Sequence, residues 1–180
     1  RSTVTLFSWA GFAYAFKYLW SPLVDNYKLP MFKKFGHRKS WLLFSQFLII
    51  IALILTAFTD PKESLFFTAL FITILAFFSA TQDILIDAFR IESAPQSLQG
   101  PLSSMYIAGY RVAMLVAGAG SLWLASFFGT EIYDQNVWKK VYLIMSLFMF
   151  VGVFATFVSD EPKLKRNLNS DNHIKFLITI

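Results

Sequence analysis

The stretch SLFFTALFITILAFFSATQDILIDA, residues 64–88, decides the class of this protein. A run of about 20 apolar residues can cross the hydrocarbon core of a bilayer as a helix. This run ends with Asp83 and Asp87, one helical turn apart. A carboxylate at membrane depth costs at least about 2.5 kcal/mol on insertion scales, so it normally faces a partner or a water-filled cavity. The pair therefore predicts a translocation path.

Composition supports a membrane protein. The chain is 56% apolar and 15% charged, and 21 residues are Phe. The net charge is +5, but the cations cluster between apolar runs, which favours orientation in a lipid bilayer over binding to nucleic acid. The absence of cysteine in the sequence excludes thiolate chemistry and cysteine-ligated metals.

Five apolar stretches are long enough to cross a membrane, and turn-forming residues separate them. A soluble all-α core is the alternative, but five consecutive runs of this length argue against it. The predicted fold class is therefore an all-α, polytopic membrane helix bundle. Its spans are predicted at residues 3–24, 41–59, 64–89, 102–128 and 138–159.

The distribution of Lys and Arg predicts the sides of the membrane, because cytoplasmic loops accumulate positive residues. The loops on the non-cytoplasmic side hold Lys62, Lys139 and Lys140, which are accompanied by acidic residues, whereas the cations of the other loops and of the region after residue 162 are in excess. The region 163–180 is therefore predicted to be a cytoplasmic tail or the start of a linker. The cytoplasmic cations are Lys28, Lys33, Lys34, Arg38 and Lys39 in the first loop, Arg90 in the third, and Lys163, Lys165, Arg166 and Lys175 in the tail.

This orientation places the start of the chain outside, where it begins with Arg1 and has no signal peptide. One preceding helix would bring the total to six, which is half of the common twelve-helix transporter plan. We therefore expect residues 1–162 to form part of an N-terminal transporter half, corresponding to helices two to six, whose partner is an absent C-terminal half. Small residues in two spans are predicted to face that half: Ala10, Gly11, Ala13 and Ala15 in the first, and Gly109, Ala113 and Ala117, at four-residue spacing, in the fourth.

Depth arithmetic at 1.5 Å per residue predicts which charges meet. Lys17 and Asp83 each lie roughly 10 Å from the inner boundary, and Arg111 lies roughly 13 Å from it. We expect Asp83 to pair with Lys17, with Arg111 or with both, and Asp87 to lie nearer the cytoplasmic mouth. Gln82 belongs to the same polar part of its helix.

These charges have two interpretations. A carboxylate that binds and releases a proton can couple transport to a proton gradient, while Lys17 or Arg111 holds an anionic solute. The ion pairs can instead hold three helices in register, and Lys17 can extend to the inner surface. Among the aromatic residues, Tyr110 is the best candidate for contact with a solute.

The residues also carry a family resemblance over nearly the whole chain. The chain resembles the AmpG-type muropeptide permeases of the major facilitator superfamily and, less closely, the acetyl-CoA transporters of the same superfamily. The segments that carry the resemblance are Phe16 to Leu23 with Asp25; Gly36, Arg38, Ser40 to Leu43 and Gln46; Ser79, Gln82, Asp83, Ile84 and Asp87; Gly109 to Arg111, Met114 to Val116, Gly118 and Leu122 to Ala125; and Glu161 with Pro162.

The resemblance implies a bacterial inner-membrane importer of anhydromuropeptides, which are sugar-peptide fragments of the cell wall, driven by a proton gradient and needing no other cofactor. It also implies that Asp25, Gly36, Arg38 and Lys39 belong to a cytoplasmic loop that latches the two halves. The sequence departs from the superfamily pattern there, because His37 replaces a basic residue and the loop is long.

Two other classes remain open. A membrane enzyme would need a catalytic constellation, but the two histidines lie in loops without metal-ligand spacing, and no phosphate-binding loop is present. We therefore expect neither an enzyme nor a metal site. The chain can alternatively be a structural or nonfunctional fragment of a decayed transporter gene.

Overall fold

The structure is a computed structural model. It describes the backbone of residues 2–27, 29, 35–129 and 133–162, and the side chains of this set from residue 8 onward except that of Trp9. The predicted tail 163–180 and the loop lysines Lys28, Lys33 and Lys34 lie outside the described residues.

The described residues form helices and connecting turns and contain no strand, which confirms the all-α prediction. We number the α-helices in chain order and name the shorter helical turns by their type. The elements are α1 (Ser2–Ala15), a 3-10 helix (Lys17–Leu19), α2 (Ser21–Asn26), α3 (His37–Ala57), α4 (Leu65–Ser93), a second 3-10 helix (Gln96–Leu98), α5 (Gln99–Leu115), a π-helical turn (Val116–Gly120), α6 (Ser121–Phe128) and α7 (Gln135–Val158).

Within the described residues, four helical segments are long and apolar enough to cross a membrane. They are His37–Ala57, Leu65–Ser93, Gln96–Phe128 and Gln135–Val158. These correspond to the second to fifth predicted spans, so the prediction of a polytopic membrane bundle is confirmed. The count of five is not reproduced.

The first predicted span, residues 3–24, is not one continuous helix. Helix α1 ends at Ala15, the chain makes a 3-10 turn, and α2 then begins at Ser21 with Pro22 in its first turn. A proline inside a helix lacks the N–H donor and clashes with the preceding turn, whereas it is tolerated in the first turn of a new helix. Pro22 therefore starts α2 and does not extend α1.

Helix α3 is the centre of the bundle. It packs against α4 and α7, and α1 packs against α4. At the end where α3 begins and α4 and α7 end, which we call the basic end, Val24, Trp41, Leu42 and Leu85 form a buried cluster. We call the other end of the bundle, where α3 ends and α4 and α7 begin, the opposite end.

Helix α5 is more loosely attached, because none of its residues is buried. Gly109, Ala113 and Ala117 line a groove of about 610 Å³ between this segment and α7. The sequence predicted that these small residues face an absent half of the transporter. All three positions are exposed, and no atom of another helix lies within 4 Å of a Cβ placed at Gly109, so their contact with that half stays a prediction.

Candidate functional site

The charges predicted to meet at membrane depth include one ion pair between α4 and the turn after α1. Lys17 Nζ lies 3.6 Å from Asp83 Oδ2. The two side chains are 36% and 29% exposed, so the pair is neither sealed in the core nor fully open. This contact confirms the expected pairing of Lys17 with Asp83.

Two hydrogen bonds hold the same pair of segments in register. The Tyr14 hydroxyl donates to Ser79 Oγ at 2.7 Å, and Ser79 lies one turn before Asp83 on α4. The Trp20 indole donates to Thr81 Oγ1 at 3.1 Å. These bonds place Lys17, which lies between Tyr14 and Trp20 in the chain, beside the acidic part of α4. We call Tyr14, Lys17, Ser79 and Asp83 the pathway cluster.

The other predicted pathway residues have different surroundings. Gln82 is half-buried, and its Oε1 has no hydrogen-bond partner among the described residues. Asp87 is 42% exposed and pairs with Arg90 Nη2 at 3.4 Å, three residues along the same helix. Tyr110 is 53% exposed, with its ring centroid 6.5 Å from that of Tyr106. Arg111 is exposed and makes no ion pair within the part of the chain that the structure describes, so the predicted Asp83 to Arg111 pair is not formed.

The predicted latch residues converge at the basic end around Arg38, whose side chain is only 7% exposed. Its Nη1 donates to Asp25 Oδ1 at 2.5 Å. Its Nε and Nη2 donate to the two carboxylate oxygens of Glu92 at 3.1 and 2.6 Å. This fork geometry suits a guanidinium, which presents paired donors in one plane. Arg38 therefore joins α2, α3 and the end of α4.

Gly36 and Lys39 complete this junction by bringing α3 to the end of α7. Glu161 accepts the backbone N–H groups of Arg38 and Lys39 at 2.8 and 3.0 Å, and Lys39 Nζ donates to the carbonyls of Phe157 and Ser159. Glu161, just after α7, thus satisfies free N–H groups at the start of α3, and Lys39 of α3 satisfies free carbonyls at the end of α7. Gly36 has φ +93, a conformation that residues with a Cβ rarely adopt, and a Cβ there would clash with the Glu161 side chain, so a substitution would strain this junction. This capping also explains why α3 begins at His37 and not at 41.

Sequence reasoning assigned no individual role to three residues that the structure places in these clusters. Arg90 stands three residues after Asp87, a helical spacing from which a contact could have been predicted. Glu161 was noted only as part of a motif with Pro162. Glu92 carried no local signal, because it lies 54 residues from Arg38 and only the fold brings them together.

A third polar cluster lies at the opposite end. The Tyr133 hydroxyl donates to Asp60 Oδ1 at 3.1 Å, and Lys62 Nζ lies 4.6 Å from the centroid of the Tyr133 ring. Burial and the bond to Asp60 raise the pKa of Tyr133 to about 12, so the phenol remains a hydrogen-bond donor at neutral pH. This contact ties the turn between α3 and α4 to the loop before α7.

The sequence was also compared with known proteins. The profile of the Major Facilitator Superfamily matches residues 2–179. The AmpG 4 protein of Rickettsia felis is 36% identical over 182 residues, which cover 99% of this chain and 42% of that protein. The anhydromuropeptide permease of Escherichia coli K12 is 37% identical over 161 residues, covering 89% and 30%. No solved structure matches significantly.

The chain spans less than half the length of these relatives. The superfamily match, however, extends over almost every residue of the chain. The long apolar helices of the structure agree with that assignment. This protein is therefore a multi-pass membrane protein that belongs to the Major Facilitator Superfamily.

Proposed function

We propose that the protein containing this chain imports anhydromuropeptides across the bacterial inner membrane with proton coupling, and that residues 1–162 supply part of its N-terminal half. The C-terminal half of the transporter and the sugar-peptide solute are then its partners, and the tail 163–180 is cytoplasmic. The similarity to the Escherichia coli anhydromuropeptide permease supports this choice of solute.

The observation that carries the proposal is the half-exposed Lys17 to Asp83 pair. Ionisable residues inside membrane spans usually face a bundle interior or a water-filled cavity and mark ion or solute pathways. A pair sealed in the core of the bundle would be out of reach of protons and solutes. Partial exposure instead leaves Asp83 accessible to a proton and Lys17 accessible to an anionic group of a solute.

The surroundings of this pair suit a solute with both sugar and peptide parts. Tyr106 and Tyr110 form an aromatic pair on α5, against which a sugar ring can stack. Lys17 and Arg111 supply positive charge for carboxylates. Gln82 Oε1, although buried in the structure, is an acceptor without a partner among the described residues. Proton binding at Asp83 would release Lys17 and so link the proton to the solute.

A structural role is the second candidate, because Tyr14 to Ser79 and Trp20 to Thr81 tie the same segments together. In that case the ion pair fixes helix register and the chain transports nothing. The same outcome would follow for a fragment of a decayed gene. An acetyl-CoA transporter-like activity is the remaining transport alternative.

Uptake of labelled anhydromuropeptide tests the proposal. Cells that lack their own permease would express either the complete gene product or residues 1–180 alone, with unlabelled acetyl-CoA as a competitor. We expect uptake by the complete product only, without competition by acetyl-CoA. Lack of uptake by both would contradict the proposed transport, and uptake by residues 1–180 alone would contradict their role as part of a half.

A further inference from the structure

Arg90 contacts both α4, to which it belongs, and α5. Its side chain is 22% exposed. Its Nη1 donates to Ser103 Oγ, its Nη2 lies 3.4 Å from Asp87 Oδ1, and its guanidinium carbon lies 5.3 Å from the centroid of the Tyr106 ring. Ser103 and Tyr106 are three residues apart and so lie on one face of α5. A single guanidinium therefore bridges the two helices.

This bridge matters because α5 has few other attachments to α4. No residue of α5 is buried. Among the described residues, the only other side-chain hydrogen bonds between the two helices come from Gln99, which donates to the carbonyls of Ile91 and Ala94 at the connecting turn. Beyond the turn, Arg90 makes the only such bond in the part of the chain that the structure describes.

The bridge is also incomplete. Arg90 Nε is buried and has no acceptor among the described residues, and Asp87 contacts only one nitrogen, whereas Glu92 engages Arg38 through a fork. An unsatisfied buried donor raises the free energy of the state that contains it. The Arg90 bridge is thus less completely hydrogen-bonded than the Arg38 junction, which suits a contact that must break repeatedly.

We propose that Arg90 is a positioning residue for transport, which clasps α5 to α4 at the basic end and is released when the path opens at that end. The proposal rests on the proposed transport function. Arg90 contacts Asp87 on α4 and the Tyr106 ring on α5, so the aromatic face of α5 lies beside the acidic part of α4. Release of Arg90 would separate these faces and move Tyr110 and Arg111 away from Asp83.

Distance measurement between spin labels tests the clasp without a solute. Residues 1–180 contain no cysteine, so labels can be attached at Ile91→Cys and Ile107→Cys, both exposed, in the complete gene product with any other cysteines replaced by serine. We expect Arg90→Gln to reduce the short-distance population at least about twofold. Arg111→Gln is the matched control and should leave it unchanged. An unaltered distribution in Arg90→Gln would overturn the clasp.

Transport kinetics provide the second readout. Arg90→Gln should lower the maximal uptake rate by about tenfold with a smaller change in half-saturation concentration, and Arg90→Lys should recover part of the rate. If Arg90→Gln does not fold, Ser103→Ala, which keeps the pair with Asp87, must shift the distances in the same direction, and unchanged distances in Ser103→Ala would overturn the clasp. Absence of uptake in the parent protein would contradict the proposed solute, whereas unchanged distances contradict only the clasp.

Discussion

Asp83 meets its counter-charge on a different segment of the chain, and its depth in the predicted span was sufficient to foresee this. Lys17 and Asp83 were placed in one layer by counting residues, and the structure brings their charged atoms to 3.6 Å. Counting could not decide between Lys17 and Arg111, because depth along the membrane normal says nothing about which face of a helix a side chain occupies. Their role in a transport path stays a proposal.

The Arg38 junction was only partly predictable from the sequence. Asp25 and Arg38 were expected at the latch from family resemblance, and they do pair. Glu92 supplies two of the three charge-assisted bonds and was not foreseen. Resemblance in short motifs therefore identified the Asp25 to Arg38 pair, but not Glu92, which the fold brings from the end of α4.

Glu92→Gln should destabilise the fold, because it removes a carboxylate charge that faces the Arg38 guanidinium, and the Arg38 side chain is only 7% exposed. Loss of one partner of a buried pair costs about 3 kcal/mol, here at the lower limit because Asp25 remains. The free energy of unfolding in mild detergent checks this. Glu63→Gln, at an exposed position without an ion pair within the described residues, is the control and should change it by less than about 0.5 kcal/mol. Equal effects of the two substitutions would argue against the junction.

At the scale of helices, four of five predicted spans were recovered because the bilayer demands about 20 apolar residues of each. The first predicted span is divided in the structure, because hydropathy alone does not indicate that Pro22 favours the start of a new helix. The end of α3 that carries Arg38 and Lys39 was missed for another reason. Their charges suggested a loop, but Asp25 and Glu92 accept from the Arg38 guanidinium, and the Lys39 ammonium donates to the carbonyls of Phe157 and Ser159.

Helices α3 and α7 are joined inside the bundle by a buried side-chain pair. Gln46 Nε2 donates to Thr156 Oγ1 at 2.9 Å. Thr156→Val should lower the free energy of unfolding by about 1 kcal/mol, within the range of interhelical hydrogen bonds in membrane proteins. Thr73→Val is the matched control, since the Thr73 hydroxyl bonds the carbonyl of Ala69 on its own helix and no other described residue. A larger loss in Thr73→Val than in Thr156→Val would contradict this assignment.

At the scale of the whole molecule, the pattern of loop charges predicts which end of the bundle faces the cytoplasm. The packing of the helices alone does not determine this. The basic end carries the Arg38 junction, and the opposite end carries the Tyr133 to Asp60 contact. Family membership was predictable from dispersed motifs, whereas the contacts of α5 were not, because a helix without buried residues leaves no pattern that identifies its neighbour.

Single cysteines can test this sidedness, since the chain has none of its own. Lys62→Cys at the opposite end should react with a membrane-impermeant maleimide added outside the inner membrane. Ser97→Cys at the basic end should react only after the membrane is disrupted. Both positions are exposed, so burial does not confound the comparison. The reverse labelling pattern would invert the predicted topology.

The most direct test of the central claim is solute movement by the complete gene product in proteoliposomes, comparing the parent with Asp83→Asn. We expect the parent to accumulate labelled anhydromuropeptide when a proton gradient is imposed. Asp83→Asn should lose this accumulation, because the amide cannot bind and release the coupling proton, yet it should retain exchange of solute across the membrane. Undiminished proton-driven accumulation by a folded Asp83→Asn protein would contradict the account.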